Sequence, residues 1–130
     1  MQASRSSAAP LVVIVEDDTA LAAALRFSLE LEGYDVELCS SGEALLTLEL
    51  PATGACLVVD QRLPGVHGLE ALRELRRRGV DLPAVLITTN PPDELRAGAS
   101  QMDASLVEKP LLGDSLISEI RGVLADHRNR

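Results

Sequence analysis

Acidic, hydroxyl and amino side chains follow four separate apolar runs of this chain, and their types suit the chemistry of a phosphoryl group. Glu16 and Asp17 follow the first run, whereas Asp60, Thr88 and Lys109 follow later ones. Carboxylates gathered at one place repel each other unless a cation neutralises them. Because the group contains no His or Cys, it favours a hard ion such as Mg²⁺ over Zn²⁺. The three acids therefore predict a Mg²⁺ site.

Asp60 is the candidate nucleophile. An aspartate carboxylate can attack a phosphoryl group and carry it as an acyl phosphate, provided that the charge on the phosphoryl oxygens is neutralised. Lys109, which is the only lysine in the sequence, offers a compact ammonium for this purpose, and Thr88 offers a hydroxyl donor. Taken singly, these residues also fit simpler interpretations, namely a solvated acidic rim, a surface lysine and a β-branched strand residue. Their joint placement favours a site.

Short apolar runs alternate with helical patterns along the chain. Continuous apolar runs predict strands buried on both faces, and one alternating run predicts an edge strand. The predicted strands are Leu11–Val15, Asp35–Cys39 (the alternating run), Ala55–Val59, Ala84–Ile87 and Ala104–Val107. Because each strand is followed by a helical pattern, the chain predicts an α/β domain with a parallel sheet and right-handed crossovers. Ligands of such sheets bind beyond the carboxyl ends of the strands, where the candidate site residues lie.

Capping residues and apolar spacing mark the helices between these strands. Thr19 is the predicted N-cap of the first helix, and Ser41 that of a second helix, Gly42 to Leu50, which Pro51 stops. Two further helices are expected at Gly68–Arg78 and Asp93–Ala99. The last helix is marked by an apolar face made of Leu116, Ile117, Ile120, Val123 and Leu124.

Composition limits the class of protein. A chain of 130 residues is long enough for one buried core, which must be aliphatic because aromatic residues make up only 2%. The net charge of −8 argues against direct binding to nucleic acid or to an anionic membrane. No apolar run reaches the roughly 18 residues of a membrane helix, and Met1–Pro10 lacks the apolar segment of a secretory signal. We expect a cytoplasmic protein with Cys39 and Cys56 as free thiols.

Several segments, in order, resemble the signature of the receiver domains of bacterial two-component response regulators. The segments are Val15-Glu16-Asp17-Asp18, Leu57-Val58-Val59-Asp60 with Leu63-Pro64-Gly65 and Gly68, Ile87-Thr88, and Glu108-Lys109-Pro110. The resemblance implies a flavodoxin-like fold, in which helices cover both faces of a parallel sheet of strand order 2-1-3-4-5. The resemblance covers about Leu11 to Leu124, and we expect a receiver domain over residues 11–126 and a tail over 127–130. The Ser/Ala-rich residues 1–10 predict a disordered lead-in.

The resemblance also implies a role for each matching residue. Glu16 and Asp17 match the acidic pair that binds Mg²⁺, and Asp60 matches the phospho-acceptor, which also ligates the metal. Arg62 matches the position whose backbone carbonyl binds Mg²⁺. The remaining matches are Thr88 with the switch hydroxyl, Lys109 with the phosphoryl-binding lysine, and Lys109-Pro110 with a cis peptide bond.

Three positions depart from the family pattern. Leu106 stands where receivers usually carry Tyr or Phe, Thr89 follows the switch threonine where a small residue is usual, and Leu111 stands where Phe is frequent. These positions concern the transmission of the signal rather than the phosphorylation itself. We therefore expect the signal to leave the site by a different route.

The function implied by the resemblance is a signalling switch rather than an enzyme with a separate substrate. Asp60 would accept a phosphoryl group from a histidine kinase or a phosphotransfer protein, with self-catalysed steps at most, and the affinity for a downstream protein would change. Such a receiver acts alone or as part of a larger regulator. Two alternatives remain, a Mg²⁺-dependent aspartyl phosphatase or phosphotransferase and a receiver that binds partners without phosphorylation. Against the first, Asp60-Gln61-Arg62 lacks the second acid of the Asp-x-Asp motif that haloacid-dehalogenase-type phosphatases carry.

Overall fold

The computed structural model describes residues 9–111 and 114–128, within which five parallel strands form one sheet. The strands are β1 (Leu11–Val15), β2 (Asp35–Cys39), β3 (Ala55–Asp60), β4 (Ala84–Thr88) and β5 (Ala104–Glu108). Their order across the sheet is β2-β1-β3-β4-β5. The α/β fold and the strand order predicted from the sequence are therefore confirmed. The predicted lead-in lies mostly outside the described residues, since only 9 and 10 of it are described.

The strand order reverses direction between β1 and β3. From β1 the chain moves outward to β2, whereas from β3 it moves the opposite way to β4 and β5. A crevice forms at the carboxyl ends of two strands that part in this manner, because their crossover connections leave on opposite faces of the sheet. Glu16 follows β1 and Asp60 ends β3. The topology therefore places both acids at this crevice.

Five helices cover the two faces of the sheet. They are α1 (Thr19–Leu31), α2 (Gly42–Thr47), α3 (Gly68–Arg77), α4 (Asp93–Gln101) and α5 (Ser115–Arg128). Successive strand side chains point to opposite faces, so β1 contributes Leu11, Val13 and Val15 to the core beneath α2, α3 and α4. Its Val12 and Ile14 join the second core, beneath α1 and α5. Both cores are aliphatic, as the composition predicted.

Two helix boundaries differ from the prediction for reasons that the backbone and its hydrogen bonds show. The N-cap of α1 is Asp18 rather than Thr19, because the Asp18 carboxylate accepts hydrogen bonds from the Ala20 and Leu21 N–H groups. Helix α2 ends at Thr47 rather than at Leu50, because the backbone of Leu48 turns to the extended conformation. Leu48 and Leu50 then pack against the first core outside any helix. Ser41 caps α2 as predicted.

The ends of several other elements also shift. Helix α3 ends at Arg77, one residue earlier than predicted, and α4 continues past Ala99 to Gln101. Helix α5 continues to Arg128, so part of the predicted tail is helical. Three strands extend by one residue, to Asp60, Thr88 and Glu108. Gln61 N–H donates to Ile87 O and Lys109 N–H donates to Thr88 O, so backbone pairing continues beyond the strand ends.

Both cysteines are free and buried. Cys39 pairs in register with Val15 on one side of β1, and Cys56 pairs with Val12 on the other side. The intervening strand keeps the two thiols apart, which confirms the expectation of free thiols. Among the described residues, no helix is long and apolar enough to cross a membrane.

Candidate functional site

Three carboxylates meet at the carboxyl ends of β1 and β3. One oxygen from each of Glu16, Asp17 and Asp60 lies within 4.8 Å of the other two. Glu16 and Asp60 are buried, with exposed fractions of 4% and 3%, whereas Asp17 is exposed. The predicted acidic group is therefore assembled, with one open side toward solvent.

Glu16 is held in an electrostatically costly position. Its Oε2 accepts a hydrogen bond from the Asp18 N–H at 3.1 Å, while its buried Oε1 has no hydrogen-bond partner among the described residues. The pKa of the Glu16 carboxyl is raised to about 7, chiefly by burial and also by the neighbouring Asp60, against the opposing effect of the Asp18 N–H. An orphaned carboxylate oxygen beside two more acids fits an oxygen-liganded divalent cation, which would supply the missing partner.

Lys109 lies beside the candidate acceptor. Its Nζ donates a hydrogen bond of 2.9 Å to Asp60 Oδ2, which forms a salt bridge across the ends of two strands. Burial by itself lowers the pKa of the Lys109 ammonium, but the hydrogen bond and charge of Asp60 outweigh it, and Glu16 and Asp17 add to the increase. The pKa is therefore above its ordinary value. The Lys109-Pro110 peptide bond is cis, as the resemblance implied.

A cavity of about 370 Å³ opens over the acceptor. The three residues with predicted phosphoryl-binding roles line this cavity together with residues of the surrounding loops. The lining residues are Asp60, Gln61, Arg62, His67, Thr88, Thr89, Asn90, Pro92 and Lys109. Thr88 is 6% exposed, so its hydroxyl belongs to a buried residue on the cavity wall. The arrangement provides a nucleophile, a cation and a hydroxyl around one small space.

The loop between β3 and α3, Gln61–His67, forms one side of this cavity and is here called the acceptor loop. Arg62 N–H donates to Asp60 Oδ1 at 3.1 Å, so the loop folds back on the acceptor. Gly68 N–H donates to Gln61 O, and a Cβ on Gly68 would lie 2.5 Å from the Asp60 carbonyl oxygen. Glycine is therefore required where α3 begins against the backbone of β3.

Sequence reasoning missed three residues around this loop. Gln61 Oε1 accepts a hydrogen bond of 2.7 Å from Leu69 N–H and so caps the first turn of α3. His67 lines the cavity, and its N–H donates to Glu70 Oε1. Glu43, on α2, accepts from Val66 N–H at 3.1 Å. Gln61 and His67 follow the acceptor closely enough to be suspected, but Glu43 is 23 positions from its partner.

The residues that depart from the family pattern have separate surroundings. Leu106 lies on β5, half-buried against the first core, and Thr89 is exposed at the rim of the cavity. Leu111 is half-buried against the second core. None of the three occupies the carboxylate cluster, so their departures leave the assembled acids unchanged.

Comparison with protein families identifies the chain. The family model described as the response regulator receiver domain matches residues 12–121. The transcriptional regulatory protein FixJ of Azorhizobium caulinodans is 33% identical over 87% of this chain and 54% of its own length. The response regulator MprA of Mycolicibacterium vanbaalenii is 33% identical over 87% of this chain and 49% of its own length. The chain thus spans about half the length of these curated relatives.

Solved structures agree with this result. The crystal structure of FixJ-N is 29% identical, with a TM-score of 0.79 over 91% of this chain and 94% of its own. The response regulator StyR is 30% identical, with a TM-score of 0.83 over 94% of this chain and 64% of its own. The sheet topology, the assembled acids and the family match lead to one conclusion: the chain belongs to the response regulator receiver domain family of two-component systems.

Proposed function

We propose that this receiver is a phosphorylation switch whose acceptor is Asp60. The observation that carries the proposal is the position of the buried Asp60 carboxylate, 2.9 Å from the Lys109 ammonium and within 4.8 Å of two further acids. A buried carboxylate with a cation on one side and an acidic cluster on the other suits the transfer of a highly charged group. The domain as proposed comprises residues 11–126, with the last turn of α5 reaching Arg128.

Phosphorylation would proceed by direct displacement. One carboxylate oxygen of Asp60 forms a bond to phosphorus while the bond between phosphorus and the donor's leaving atom breaks. The Lys109 ammonium then follows the transferred phosphoryl oxygens as a point charge, and the Thr88 hydroxyl donates a hydrogen bond to one of them. The product is an acyl phosphate on Asp60. The binding free energy that Thr88 and Lys109 gain from its phosphoryl oxygens is available to shift the chain segments that follow these two residues.

The same site is proposed to bind Mg²⁺. Glu16, Asp17 and Asp60 would hold the ion through carboxylate oxygens, and Arg62 through its backbone carbonyl. Three acids without His or Cys favour Mg²⁺, and the orphaned Glu16 Oε1 supports a cation at this place. When bound, the ion supplies charge neutralisation for the phosphoryl oxygens. Its binding would also stabilise the ionised form of Glu16 against the desolvation that raises the pKa of this carboxyl.

The proposed donor is a histidine kinase or a histidine phosphotransfer protein, and the proposed response is a changed affinity for a downstream protein. The relatives support this proposal, because they are named as a transcriptional regulatory protein and a response regulator, and the match covers about half of each. Helix α1 begins directly after the acidic cluster and exposes Phe27 and Leu31, whose exposed fractions are 66% and 71%. These apolar side chains lie about two and three turns along α1 from the cluster, and they offer contacts to a protein partner. A cytoplasmic location and an absence of direct DNA binding complete the proposal.

The test is Mg²⁺-dependent phosphorylation by acetyl phosphate or phosphoramidate, measured by intact-mass spectrometry. We expect one added phosphoryl group on the wild type with Mg²⁺, and none on Asp60→Asn or on the wild type in excess EDTA. Asp60→Asn is nearly isosteric, so loss of labelling reflects the nucleophile rather than the packing. Equal labelling of this variant, or full labelling in EDTA, would contradict the proposal. Steady turnover of small phosphate esters would instead favour a phosphatase.

A further inference from the structure

The acceptor loop contacts a helix that plays no part in the proposed chemistry. Glu43 lies in the first turn of α2, and its Oε2 accepts a hydrogen bond of 3.1 Å from Val66 N–H. Val66 and Glu43 are 23 positions apart, so this is a tertiary contact between α2 and the loop. Among the described residues, this is the side-chain hydrogen bond that joins α2 to the acceptor loop.

Two glycines make the approach between α2 and the loop possible. A Cβ on Gly42, the first residue of α2, would lie 2.8 Å from Val66 O. Gly65 has a φ of +74°, and a Cβ added there would collide with the Glu43 carboxylate. Both glycines therefore let the backbone of the loop tip lie directly against the start of α2. The contact therefore depends on the close approach of the loop backbone to α2, and not on the Glu43 side chain alone.

The other hydrogen bonds of the loop lie at its ends, and the Leu63 side chain anchors its middle in the first core. At the start, Arg62 N–H donates to Asp60 Oδ1, and Gln61 Oε1 caps α3. At the end, Gly68 N–H donates to Gln61 O and closes the loop on itself. The tip, Gly65–Val66, is thus held from outside the loop by Glu43. Without this acceptor, the tip keeps only the apolar packing of Val66 against the first core, and its backbone gains conformational freedom.

We propose that Glu43 is a positioning residue for the metal site, acting through the acceptor loop. This inference rests on the proposed function, in which the Arg62 carbonyl of the same loop is a ligand. A ligand on a loop that samples other conformations binds metal with an affinity reduced by the fraction of time that the loop is competent. By holding Val66, Glu43 keeps this fraction high.

The experiment measures Mg²⁺ affinity by titration of amide chemical shifts, on unphosphorylated protein. Glu43→Ala removes the acceptor, and we expect Mg²⁺ to bind about twofold to threefold more weakly, which is the lower end of the net value of one hydrogen bond because this bond is exposed. Glu43→Gln keeps an acceptor oxygen at the same reach, so its affinity should remain near that of the wild type. In both variants the chemical shift of the Val66 amide reports whether its hydrogen bond to the side chain at position 43 is kept.

A control variant separates the positioning effect of Glu43 from the effect of removing its negative charge. Glu49→Ala removes the same charge from an exposed residue beyond the end of α2, and we expect it to bind Mg²⁺ like the wild type. Equal weakening by Glu49→Ala and Glu43→Ala would mean that only net charge matters, and would overturn the inference. So would a Glu43→Ala variant that binds Mg²⁺ with unchanged affinity, whether or not it melts at a lower temperature in EDTA. A wild type that binds no Mg²⁺ would overturn the proposed function itself.

Discussion

At the scale of single residues, Lys109 combines two properties that only an ammonium on a flexible stem provides. Its Nζ reaches Asp60 Oδ2 at 2.9 Å, and its side chain is 29% exposed, which leaves it room to move. A compact charge can follow a phosphoryl group, whereas the planar guanidinium of arginine requires a fixed geometry. The proposed phosphoryl-binding role would explain why an otherwise arginine-rich chain uses lysine at this one position.

Replacement of Lys109 by Arg should therefore impair switching even though the charge is kept. Couplings between sites are worth about 1–3 kcal/mol, and we expect most of this energy to be lost, while labelling of Asp60 survives in part. The measurement compares amide chemical shifts of phosphorylated wild type and Lys109→Arg, with Lys109→Gln as the variant that also loses the charge. An identical response of wild type and Lys109→Arg would show that the lysine is incidental.

At the scale of elements, the segment between β4 and α4 is weakly held beside the site. Asn90 has a φ of +49°, and Pro91 and Pro92 provide no backbone donors. Pro92 is the N-cap of α4 and makes no side-chain capping bond. The Arg96–Glu108 ion pair, which joins α4 to β5, is exposed and contributes little. Thr88 at the cavity leads directly into this segment.

Because Leu106 replaces the usual aromatic residue, we expect the signal to leave through the segment Thr89–Gln101. A new hydrogen bond from Thr88 to the phosphoryl group would bias a loop of low local stability. Hydrogen exchange with and without beryllofluoride should show its largest change in this segment, and Asp60→Asn treated in the same way should show none. A largest change within Ala104–Val107, or one confined to the Glu16 and Asp60 loops, would be contrary to this route.

At the scale of the whole molecule, the central strands separate two aliphatic cores that must form together. Cys56 lies in the second core, fully buried between helices and sheet. Burial raises the pKa of the Cys56 thiol to about 12, with a smaller contribution from Glu119. Since the thiolate is the reactive form, this thiol is protected both by its surroundings and by its protonation.

Cys56 is therefore a probe of global unfolding. In Cys39→Ser, which leaves Cys56 as the single thiol, we expect no reaction with a disulfide reagent at pH 8 in native buffer and one thiol per chain in denaturant. The rate of native labelling should follow the free energy of unfolding of the whole domain, because a central strand exchanges only through global opening. Rapid labelling of the native variant would mean that the two cores open independently.

The positions of the candidate site residues were predictable because these polar residues stand at the ends of the predicted strands. Buried runs of aliphatic residues predict the strands, parallel strands place their carboxyl ends at one edge, and the acids, threonine and lysine follow those ends. Exact helix ends were less predictable. Asp18 and Thr19 are both suitable caps, and only the backbone conformation selects Asp18. Leu48 and Leu50 suit a helix equally well, yet α2 ends at Thr47 and both leucines pack against the first core outside any helix.

The sequence by itself determined the fold class, the order of elements and the residues at the crevice, because periodicity and strand-end chemistry are local properties of a chain. Tertiary structure alone decided how close those residues come and what holds them. The 2.9 Å contact of Lys109 with Asp60 spans 49 positions, and the bond from Val66 to Glu43 spans 23. Contacts of this kind depend on how helices pack on the sheet, and no local pattern specifies the angle and depth of that packing.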